Sequence, residues 1–513
     1  MFEPDLRPIW WLPTLGFFFF LAIELSMFAG PKVFDDPGVG RHLRTAEAIL
    51  ETGQIPRTDP LSFTKPNAPW FDFEWGFETT IGEIYRAGGL ALVCAFTYAL
   101  FATSVLGVYR IVLHSVLSPL AVIVYTGLAF LTLHLHFSVR PVLFTYLFMA
   151  LIVEVWRRRA QPLRRDWLVL PVVFAFWANL HAGWLAALIF LVGSLVGRFL
   201  DRCLHRTDGE QAPLIPWIGL TLLCALATLL NPWGWALHRH VVLLATTYKS
   251  FALWDEYLPP NFGAPSMSAI TVLFIVVVVF LARLSKRVPL WTWETILPVL
   301  FFLDEGLKAQ RHVLLLVIVA ATPVARDLEA LLNTPWPAFV RDRLPFITEL
   351  VEELGDRLTQ FQARQRVAGG DVWLSFLAAL VFTGLFLRTP MGRDLQVGQS
   401  VTPRLVAFLQ DHPDRFHRPL TTTWNAGPLL WNMRPGFRVS IDDRGDFYGD
   451  DMIFSFVDMT KGSAGWREKL DAGNYDSLIL DPYLQLNQLL HFLPEWKEVY
   501  RDDHAVVYWK DSN

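Results

Sequence analysis

Long apolar runs separated by short polar connections make up most of the chain. The runs fall roughly at 9–29, 88–109, 117–134, 141–156, 167–180, 184–197, 213–231, 268–282, 289–303, 311–325 and 372–388. A helix needs about 20 predominantly apolar residues to cross ~30 Å of hydrocarbon. Shorter runs can be completed by polar turns that are buried within a bundle. The pattern predicts an α-helical polytopic membrane protein with about eleven transmembrane helices.

The pattern changes after residue 389. Residues 390–513 contain 31 charged residues among 124, whereas residues 1–389 contain 61. Strand-like apolar runs lie at 418–424, 437–442, 477–481 and 504–509, and helix-like runs at 401–410, 426–432, 464–471 and 484–492. The chain therefore divides into a transmembrane domain, 1–389, and a C-terminal soluble α/β domain, 390–513, with a two-layer or three-layer arrangement.

Composition excludes several classes of protein. Hydrophobic residues make up 53% of the chain and charged residues 18%, whereas soluble globular proteins are about one-quarter charged. A net charge of −4 argues against a nucleic-acid partner. The three cysteines, Cys94, Cys203 and Cys224, have neither the spacing of a zinc site nor the number for a disulfide framework.

The distribution of lysine and arginine predicts the orientation. With the N-terminus inside, the inner loops carry 13 basic residues in 46 positions, against 10 in 110 for the outer loops. Cytoplasmic loops are the more basic ones in membrane proteins, and eleven crossings then place the C-terminal domain outside. Residues 326–371 stay inside, and their amphipathic pattern predicts an interfacial segment.

The first outer loop, 30–87, is far longer than most connections, and such loops are often functional. It begins with Phe34-Asp35-Asp36-Pro37, and apolar residues then recur at helical spacing over 38–53. We expect a short amphipathic helix lying flat on the membrane, with Gly53 as its C-terminal cap. The loop ends with an acidic stretch that includes Asp72, Glu74 and Glu78.

Ionisable residues concentrate on the predicted outer face. Ionisable groups at membrane depth are costly and usually face a cavity or a partner, so their concentration predicts one polar chamber. The histidines, carboxylates and arginines of this face are His42, His134, His136, His181, His238, His240, His312, Asp35, Asp36, Asp255, Glu256, Asp304, Glu305, Arg140 and Arg311.

Simpler interpretations remain open for these residues. Asp35 and Asp36 could only begin a turn or cap the flat helix, and Arg140 could only anchor the start of a helix. A histidine at a helix end, such as His238 or His240, is often interfacial. His181 is the stronger indication of a functional role, because it interrupts an apolar run just before Gly183.

Two features of the C-terminal domain also have alternatives. Acidic residues surround Arg444-Gly445, without the register of an EF-hand. We expect a loop of solvated acids at a strand end, with acceptor binding or Ca²⁺ binding as alternatives. The segment Trp424-Asn425-Ala426-Gly427 could be a turn that fits this domain against the membrane domain.

Several of these segments resemble a family of uncharacterised bacterial multi-span membrane proteins. They are DDPGVGRHLRTAEAILETGQIPRTDPLSFT, PWFDFEWGFE, WANLHAGWL, NPWGW, DEYLPP and, in the C-terminal domain, TTTWNAGPLLWNMRPGFRVSIDDRGDFYGDD. That family is related to the GT-C glycosyltransferases, which include protein O-mannosyltransferases, aminoarabinose transferases and oligosaccharyltransferases. The resemblance implies a GT-C-like fold in the bacterial cytoplasmic (inner) membrane. It also implies an acidic motif in the first outer loop, where Asp35 and Asp36 fall, and a lipid-phosphate-linked sugar donor.

The chemistry of such a transfer suits these residues. A carboxylate base, Asp35 or Asp36, would take the proton of the attacking acceptor hydroxyl. Cations stabilise the charge on a departing lipid phosphate, and Arg140, Lys308 and Arg311 lie on the predicted face. The further substrate-binding candidates are His42, Glu74 and His181. Asp36, His42 and His181 are also candidate ligands for Mg²⁺, Mn²⁺ or Zn²⁺, although no spacing specifies a metal.

The sequence therefore favours an inverting membrane glycosyltransferase, which moves a sugar from a polyprenyl-phosphate donor to an extracytoplasmic acceptor. A non-catalytic scaffold subunit with the same fold is the main alternative, since folds persist where chemistry is lost; the aromatic residues would then contact lipids and protein partners. A transporter or flippase for a lipid-linked precursor is the third hypothesis. Paired halves with matching broken helices are typical of transporters, and the sequence has no such symmetry.

Overall fold

The computed structural model describes residues 11–204, 213–264, 266–285, 290–333, 368–433 and 435–511, together with Ile9 and scattered residues between 343 and 366. Helices dominate the part before residue 389. They are α1 Leu15–Ser26, α2 Gly38–Thr52, α3 Trp75–Ser115, α4 Pro119–Leu133, α5 Val142–Arg158, α6 Asp166–Leu180, α7 Trp184–Cys203, α8 Ile215–Ala227, α9 Trp235–Thr246, α10 Met267–Leu284, α11 Trp293–Lys308, α12 Val313–Val319, α13 Ala321–Leu332 and α14 Asp371–Phe386.

Helix length and composition support a membrane protein. Among the described residues, four helices are long and apolar enough to cross a membrane: Trp75–Ser115, Pro119–His136, Trp184–Cys203 and Met267–Leu284. Shorter apolar helices are Leu15–Ala29, Asp166–Leu180, Ile215–Ala227, Gln310–Val319 and Asp371–Phe386. The count of eleven crossings, the domain boundary at 389 and the orientation stay predictions. Most of the predicted interfacial segment, 326–371, lies outside the described residues.

The long helix α3 is broken near its start. Gly88 and Gly89 have non-helical backbone angles, and Gly89 has a φ of +65°, which favours glycine because it has no Cβ. The break separates an outer part, residues 75–87, from the apolar part that follows. The outer part packs on α2 so closely that a Cβ at Gly82 would lie 2.8 Å from the Ala46 side chain.

The amphipathic helix predicted over 38–53 is confirmed as α2. Gly53 has a φ of +67° and donates its backbone N–H to the carbonyl of Ile49 at 2.8 Å, so it caps the helix as predicted. The first half of the helix is covered on its polar face as well, because even Arg41 and His42 are buried, whereas Glu51 and Thr52 at its end are exposed. This first half is thus enclosed between the membrane domain and the C-terminal domain.

The C-terminal domain combines short helices with one four-stranded sheet, in the order β1-β2-β4-β3. β1 and β2 are parallel, and the other pairs are antiparallel. The strands are β1 Pro419–Leu420, β2 Ser477–Leu480, β3 Trp496–Arg501 and β4 Val506–Lys510. The helices are α15 Pro390–Arg393, α16 Pro403–Asp411, α17 Ala426–Asn432, α18 Gly445–Tyr448, α19 Asp450–Thr460, α20 Trp466–Ala472 and α21 Leu486–Leu490.

Two sequence predictions for this domain were wrong. The segment 437–442 is not a sheet strand; Val439 forms an isolated bridge with Ser62 of the first outer loop. Its backbone hydrogen bonds thus go to the membrane domain instead of a neighbouring strand. Strand β3, Trp496–Arg501, was missed, because its exposed Lys497 and Glu498 lie on an edge strand.

The C-terminal domain docks on α2 through backbone contact. A Cβ on Gly427 would lie 1.8 Å from the Pro37 carbonyl oxygen, and one on Gly40 would lie 2.0 Å from the Gly427 carbonyl oxygen. Only glycine allows such close approach of two backbones. This confirms that the Trp424–Gly427 turn fits the C-terminal domain against the membrane domain.

Candidate functional site

Asp36 lies at the start of α2 and uses both carboxylate oxygens. Its Oδ1 accepts a hydrogen bond from the backbone N–H of Gly38 at 2.9 Å, which satisfies a donor at the helix start. Its Oδ2 forms an ion pair with Nε of Arg140, directly before α5. The capping role and a charged role therefore coexist in one side chain.

Arg140 extends this pair into an ionic chain. Its Nη1 lies 2.8 Å from Oε2 of Glu256, and Oε1 of Glu256 lies 3.1 Å from Nη1 of Arg311. The Arg311 guanidinium also lies over the Tyr257 ring, 4.4 Å from its centroid. Four connecting segments of the membrane domain thus meet through alternating charges, which we call the Asp36–Arg311 chain.

Burial alone would raise the pKa of Glu256, but its partners reverse that effect. The hydrogen bond from His136, at 3.2 Å, and the charges of Arg311 and Arg140 hold the pKa of Glu256 well below its usual range. Glu256 is therefore an anion that holds two guanidinium groups together. The chain is also partly open, because the Arg140 and Arg311 side chains are 30% and 24% exposed.

Asp35 does not join the Asp36–Arg311 chain. It is half-buried, and burial raises its pKa, while the charge of Lys32 and a hydrogen bond with Gln399 act in the opposite direction. The two adjacent carboxylates thus occupy different surroundings. Only Asp36 contacts the arginines.

A second ionic cluster is centred on Arg41 of α2. Its Nε and Nη2 lie 2.8 Å and 3.0 Å from the two carboxylate oxygens of Asp443, in the C-terminal domain. Its Nη1 lies 3.1 Å from Oε1 of Glu78, and Nη2 lies 3.7 Å from Oε2 of Glu74. His42 is next to it, with Nδ1 3.0 Å from the same oxygen of Glu78. We call these residues the Arg41 cluster.

Burial sets the protonation of this cluster. It raises the pKa of Glu74 to about 8, although the charge of Arg41 opposes the shift. It lowers the pKa of His42 far below its usual range, and the Arg41 charge adds to that effect, so His42 is neutral. Burial would raise the pKa of Asp443, but Arg41 overcomes it and keeps the carboxyl ionised. The cluster therefore contains a glutamate that titrates near neutral pH.

The acidic loop around Arg444 was predicted to be solvated, and this was wrong. Asp442 is buried and pairs with Arg444, whose Nη1 also lies 2.8 Å from Asp59 in the first outer loop. Further along, Oδ2 of Asp446 lies 3.1 Å from Nε2 of His240 in α9. Asp443, Asp446 and Asp450 have basic or backbone partners on the membrane domain, because the domains meet there.

His181 is held in one tautomer. Its Nδ1 accepts from the backbone N–H of Gly183 at 3.1 Å and lies 2.8 Å from the Thr145 hydroxyl. That hydroxyl accepts from Trp177 Nε1, so its own proton points to His181. Burial and then the charge of Arg311 lower the pKa of His181 to about 3. A neutral His181 with a proton on Nε2 therefore lies within electrostatic range of the Asp36–Arg311 chain.

Lys308 is placed apart from these residues. Its side chain is 61% exposed and pairs with Asp304 and Glu305 of the same helix. The structure therefore brings Asp36, Arg140 and Arg311 into one ionic chain, and His42 and Glu74 into the adjoining Arg41 cluster. It gives Lys308 separate partners.

The metal candidates also have separate partners. Asp36 is held by Arg140, His42 lies against Glu78, and His181 accepts from Gly183. Across the described ranges, no three histidine, cysteine, aspartate or glutamate side chains are grouped so that they could hold a metal ion.

Sequence reasoning missed the roles of Arg41 and Asp443. Arg41 was read only as a polar position of an amphipathic helix. The available signal was the run Asp442-Asp443-Arg444, which follows an apolar segment and holds charges of both signs, since aspartate and arginine are buried almost only when they are paired. The sequence predicts Glu256 on the same face as Arg140 and Arg311, but it does not show that these arginines, from distant loops, are its partners.

No protein-family model matches the chain, and no curated protein matches it in sequence. Among solved structures, the chain is similar to the archaeal oligosaccharyltransferase AglB from Archaeoglobus fulgidus in complex with an inhibitory peptide and a dolichol-phosphate. The aligned region includes 91% of this chain and 69% of the AglB chain, with 10% sequence identity and a TM-score of 0.50. The chain also aligns with ArnT from Cupriavidus metallidurans bound to undecaprenyl phosphate. That alignment includes 96% of this chain and 97% of the ArnT chain, with 13% sequence identity and a TM-score of 0.43. The likeness to AglB confirms the GT-C fold that the sequence motifs resembled.

Proposed function

We propose that this chain is a membrane glycosyltransferase that uses a polyprenyl-phosphate-linked sugar and an extracytoplasmic acceptor. The observation that carries the proposal is the Asp36–Arg311 chain. It joins two carboxylates, Asp36 and Glu256, and two arginines on a partly open face. A base and two cations are the groups that transfer from a lipid phosphate requires.

The reaction needs one displacement. The acceptor oxygen attacks the anomeric carbon and forms the new glycosidic bond as the bond to the phosphate oxygen breaks. The acceptor proton passes to Asp36, and the bonding electrons leave with the lipid phosphate, whose charge Arg140 and Arg311 stabilise. A single displacement inverts the anomeric configuration. Because the leaving phosphate is already anionic, the step needs no strong general acid.

The internal ion pairs suggest how the site changes when donor binds. Asp36 and Glu256 neutralise Arg140 and Arg311 in the structure. A donor phosphate would compete for the same guanidinium groups, since arginine binds carboxylate and phosphate with the same geometry. Release of Arg140 would leave Asp36 a stronger base at the moment when substrate is present. Neutral His181 and protonated Glu74 are the neighbouring donors that could hold sugar hydroxyls.

The fold likeness supports this assignment. The AglB complex contains a lipid phosphate and an inhibitory peptide, and the same classes of ligand, a lipid carrier and an acceptor, suit the present proposal. We place the site and the C-terminal domain on the extracytoplasmic side of a bacterial cytoplasmic membrane, since the basic loops favour that orientation. The docked C-terminal domain then borders the face where an acceptor would enter.

The test identifies the bound lipid without a guess about the sugar. Wild-type protein and the variants Arg311→Gln and Lys308→Gln are purified in mild detergent, and their lipids are analysed by mass spectrometry. We expect enriched polyprenyl phosphate or its glycoside in wild type and Lys308→Gln, and loss of about tenfold or more in Arg311→Gln. Equal amounts of bound polyprenyl phosphate in the two variants would remove the support for the site. Bulk phospholipid alone in the wild-type protein would do the same.

Complete internal pairing also favours a second candidate, a non-catalytic scaffold. Asp36, Arg140, Glu256 and Arg311 already satisfy one another. A scaffold would retain stoichiometric protein partners after Asp36→Asn and would carry only bulk phospholipid. A transferase would keep its donor lipid in the same variant, because the base is not needed for donor binding.

A further inference from the structure

Two adjoining cavities lie at the ends of α3 and α5 that are remote from the Asp36–Arg311 chain. Arg140 precedes the first turn of α5, and Arg158 is its last residue, 17 helical positions along. At 1.5 Å per residue, the helix separates them by about 25 Å. Each cavity has a volume of about 370 Å³, and Arg110 and Arg158 line both. They are therefore one continuous basic region, distinct from the proposed site.

Cationic groups dominate the lining of this region. Arg159 and Arg165 complete the first cavity, and Arg366 the second. The two lining carboxylates are already engaged. Glu154 pairs with Arg158 at 2.9 Å, and Asp371 accepts from the backbone N–H and hydroxyl of Thr14 at 2.8 Å and 2.6 Å. Five arginines thus face these two occupied acids and Asp166, which pairs with Arg159, so the region keeps a net positive charge.

Apolar side chains complete the region on the lipid side. Leu163 and Val372 line the cavities and are 46% and 66% exposed. Trp167 and Trp373 lie near them in sequence and are 39% and 41% exposed. Tryptophan is enriched where the hydrocarbon meets the headgroups. The cavities therefore lie at the level of lipid headgroups, with apolar surface for an acyl chain.

We propose that these cavities bind the phosphate headgroup of an anionic phospholipid from the leaflet opposite the glycosyltransferase site. Basic pockets between transmembrane helices are suited to such headgroups. Basic residues that only follow the charge rule for inner loops extend into water, whereas the partly buried Arg110 and Arg159, 31% and 19% exposed, line a space beside packed helices. The exposed apolar rim favours a lipid over a free phosphate ion.

The test measures binding of dioleoyl phosphatidylglycerol to the full chain by native mass spectrometry. Dioleoyl phosphatidylcholine tests the charge requirement, and inorganic phosphate tests a soluble source. Arg158→Gln should weaken phosphatidylglycerol binding about fivefold, as expected for one basic residue at an anionic headgroup. Arg165→Gln, at an exposed position that folding does not require, should weaken it in the same direction. Arg164→Gln is the matched control, since it removes the same charge from a neighbouring exposed position that does not line either cavity.

Unchanged binding in both Arg158→Gln and Arg165→Gln would overturn the proposal. Equal loss in Arg164→Gln would overturn it too, because the effect would then be that of net charge. Displacement of the lipid by millimolar inorganic phosphate would assign the cavities to a soluble phosphate instead. Equal affinity for phosphatidylcholine would show that the arginines do not select the headgroup. These outcomes are independent of sugar transfer at the opposite end of the helices.

Discussion

Asp443 binds Arg41 through both carboxylate oxygens, at 2.8 Å and 3.0 Å, across the boundary between the C-terminal domain and α2. The Arg41 side chain is 5% exposed, and the adjacent Glu78 side chain is fully buried. Loss of one member of a buried ion pair leaves an uncompensated charge, which costs about 3–5 kcal/mol.

Arg41→Met should therefore destabilise the docked C-terminal domain by about 3–5 kcal/mol. Thermal unfolding and limited proteolysis of the purified protein measure the effect. Arg86→Met is the control, because among the described residues the ion pair of Arg86 is an exposed one with Glu83 at 3.9 Å. The double variant Arg41→Met with Asp443→Leu should recover part of the loss. Equal stability of Arg41→Met and Arg86→Met would contradict the role given to the Arg41 cluster.

Gly427→Ala should disrupt the same interface by a steric route. The new methyl group would lie 1.8 Å from the Pro37 carbonyl oxygen, so one of the two backbones must move. We expect faster cleavage between the domains in limited proteolysis and a lower thermal midpoint. Gly127→Ala adds the same methyl group where no atom lies within 4 Å, and it should behave as wild type. If Gly427→Ala resisted proteolysis as well as Gly127→Ala, the backbone contact between Gly427 and Pro37 would not be tight.

Asp36→Asn should lower the rate of sugar transfer by about 10²–10⁴, as expected when a general base is removed. The measurement is single-turnover consumption of the lipid-linked donor that co-purifies with the protein. Asp35→Asn is the matched control, because Asp35 does not contact the arginines, and its effect should be small. The assignment of Asp36 fails if the two variants are equally active, or if Asp35→Asn is the more damaging.

The raised pKa of Glu74 predicts a pH-dependent stability. The folded protein holds a proton on Glu74 up to about pH 8, whereas the ordinary value is 4.5. Stability from this group is therefore fully present below about pH 4.5 and is lost as pH rises through 8. Glu74→Gln imitates the protonated form, so it should match wild type near pH 5 and be the more stable protein near pH 9.

Thermal unfolding of both proteins across this pH range tests the prediction. Glu51→Gln, at an exposed position of α2, should follow wild type throughout. A constant difference between Glu74→Gln and wild type from pH 5 to pH 9 would show that Glu74 does not titrate in this interval.

Local patterns explain which parts of the structure were predicted from the sequence. Helix α2 and its Gly53 cap follow from the spacing of apolar residues and one glycine within 16 positions. The sign and position of charged groups predicted that the candidate site residues lie on one face. Asp36, Arg140 and Arg311 were therefore selected correctly as neighbours, although hydropathy cannot distinguish them from Lys308, which pairs within its own helix.

Long-range partners explain what was missed. The segment 437–442 has the composition of a strand, but its backbone partners lie in the first outer loop. The sequence around Arg444 has the composition of a solvated acidic loop. Its partners come from the other end of the chain, because Asp59 pairs with Arg444 and Arg41 pairs with Asp443. Such contacts depend on the relative placement of two domains, which no local period encodes.

The separation between Arg41 and Asp443 also bears on biosynthesis. The two residues are 402 positions apart, and at roughly 5–20 residues per second a ribosome adds Asp443 about 20–80 s after Arg41. During that interval α2 has already been made, but the acid that neutralises its buried arginine has not. Until residue 443 is made, the nascent membrane domain must keep this arginine hydrated or paired with Glu74 and Glu78. Completion of the outer face is therefore a late event, and a chain that stalls before residue 443 would expose an unfinished polar surface to quality-control proteases.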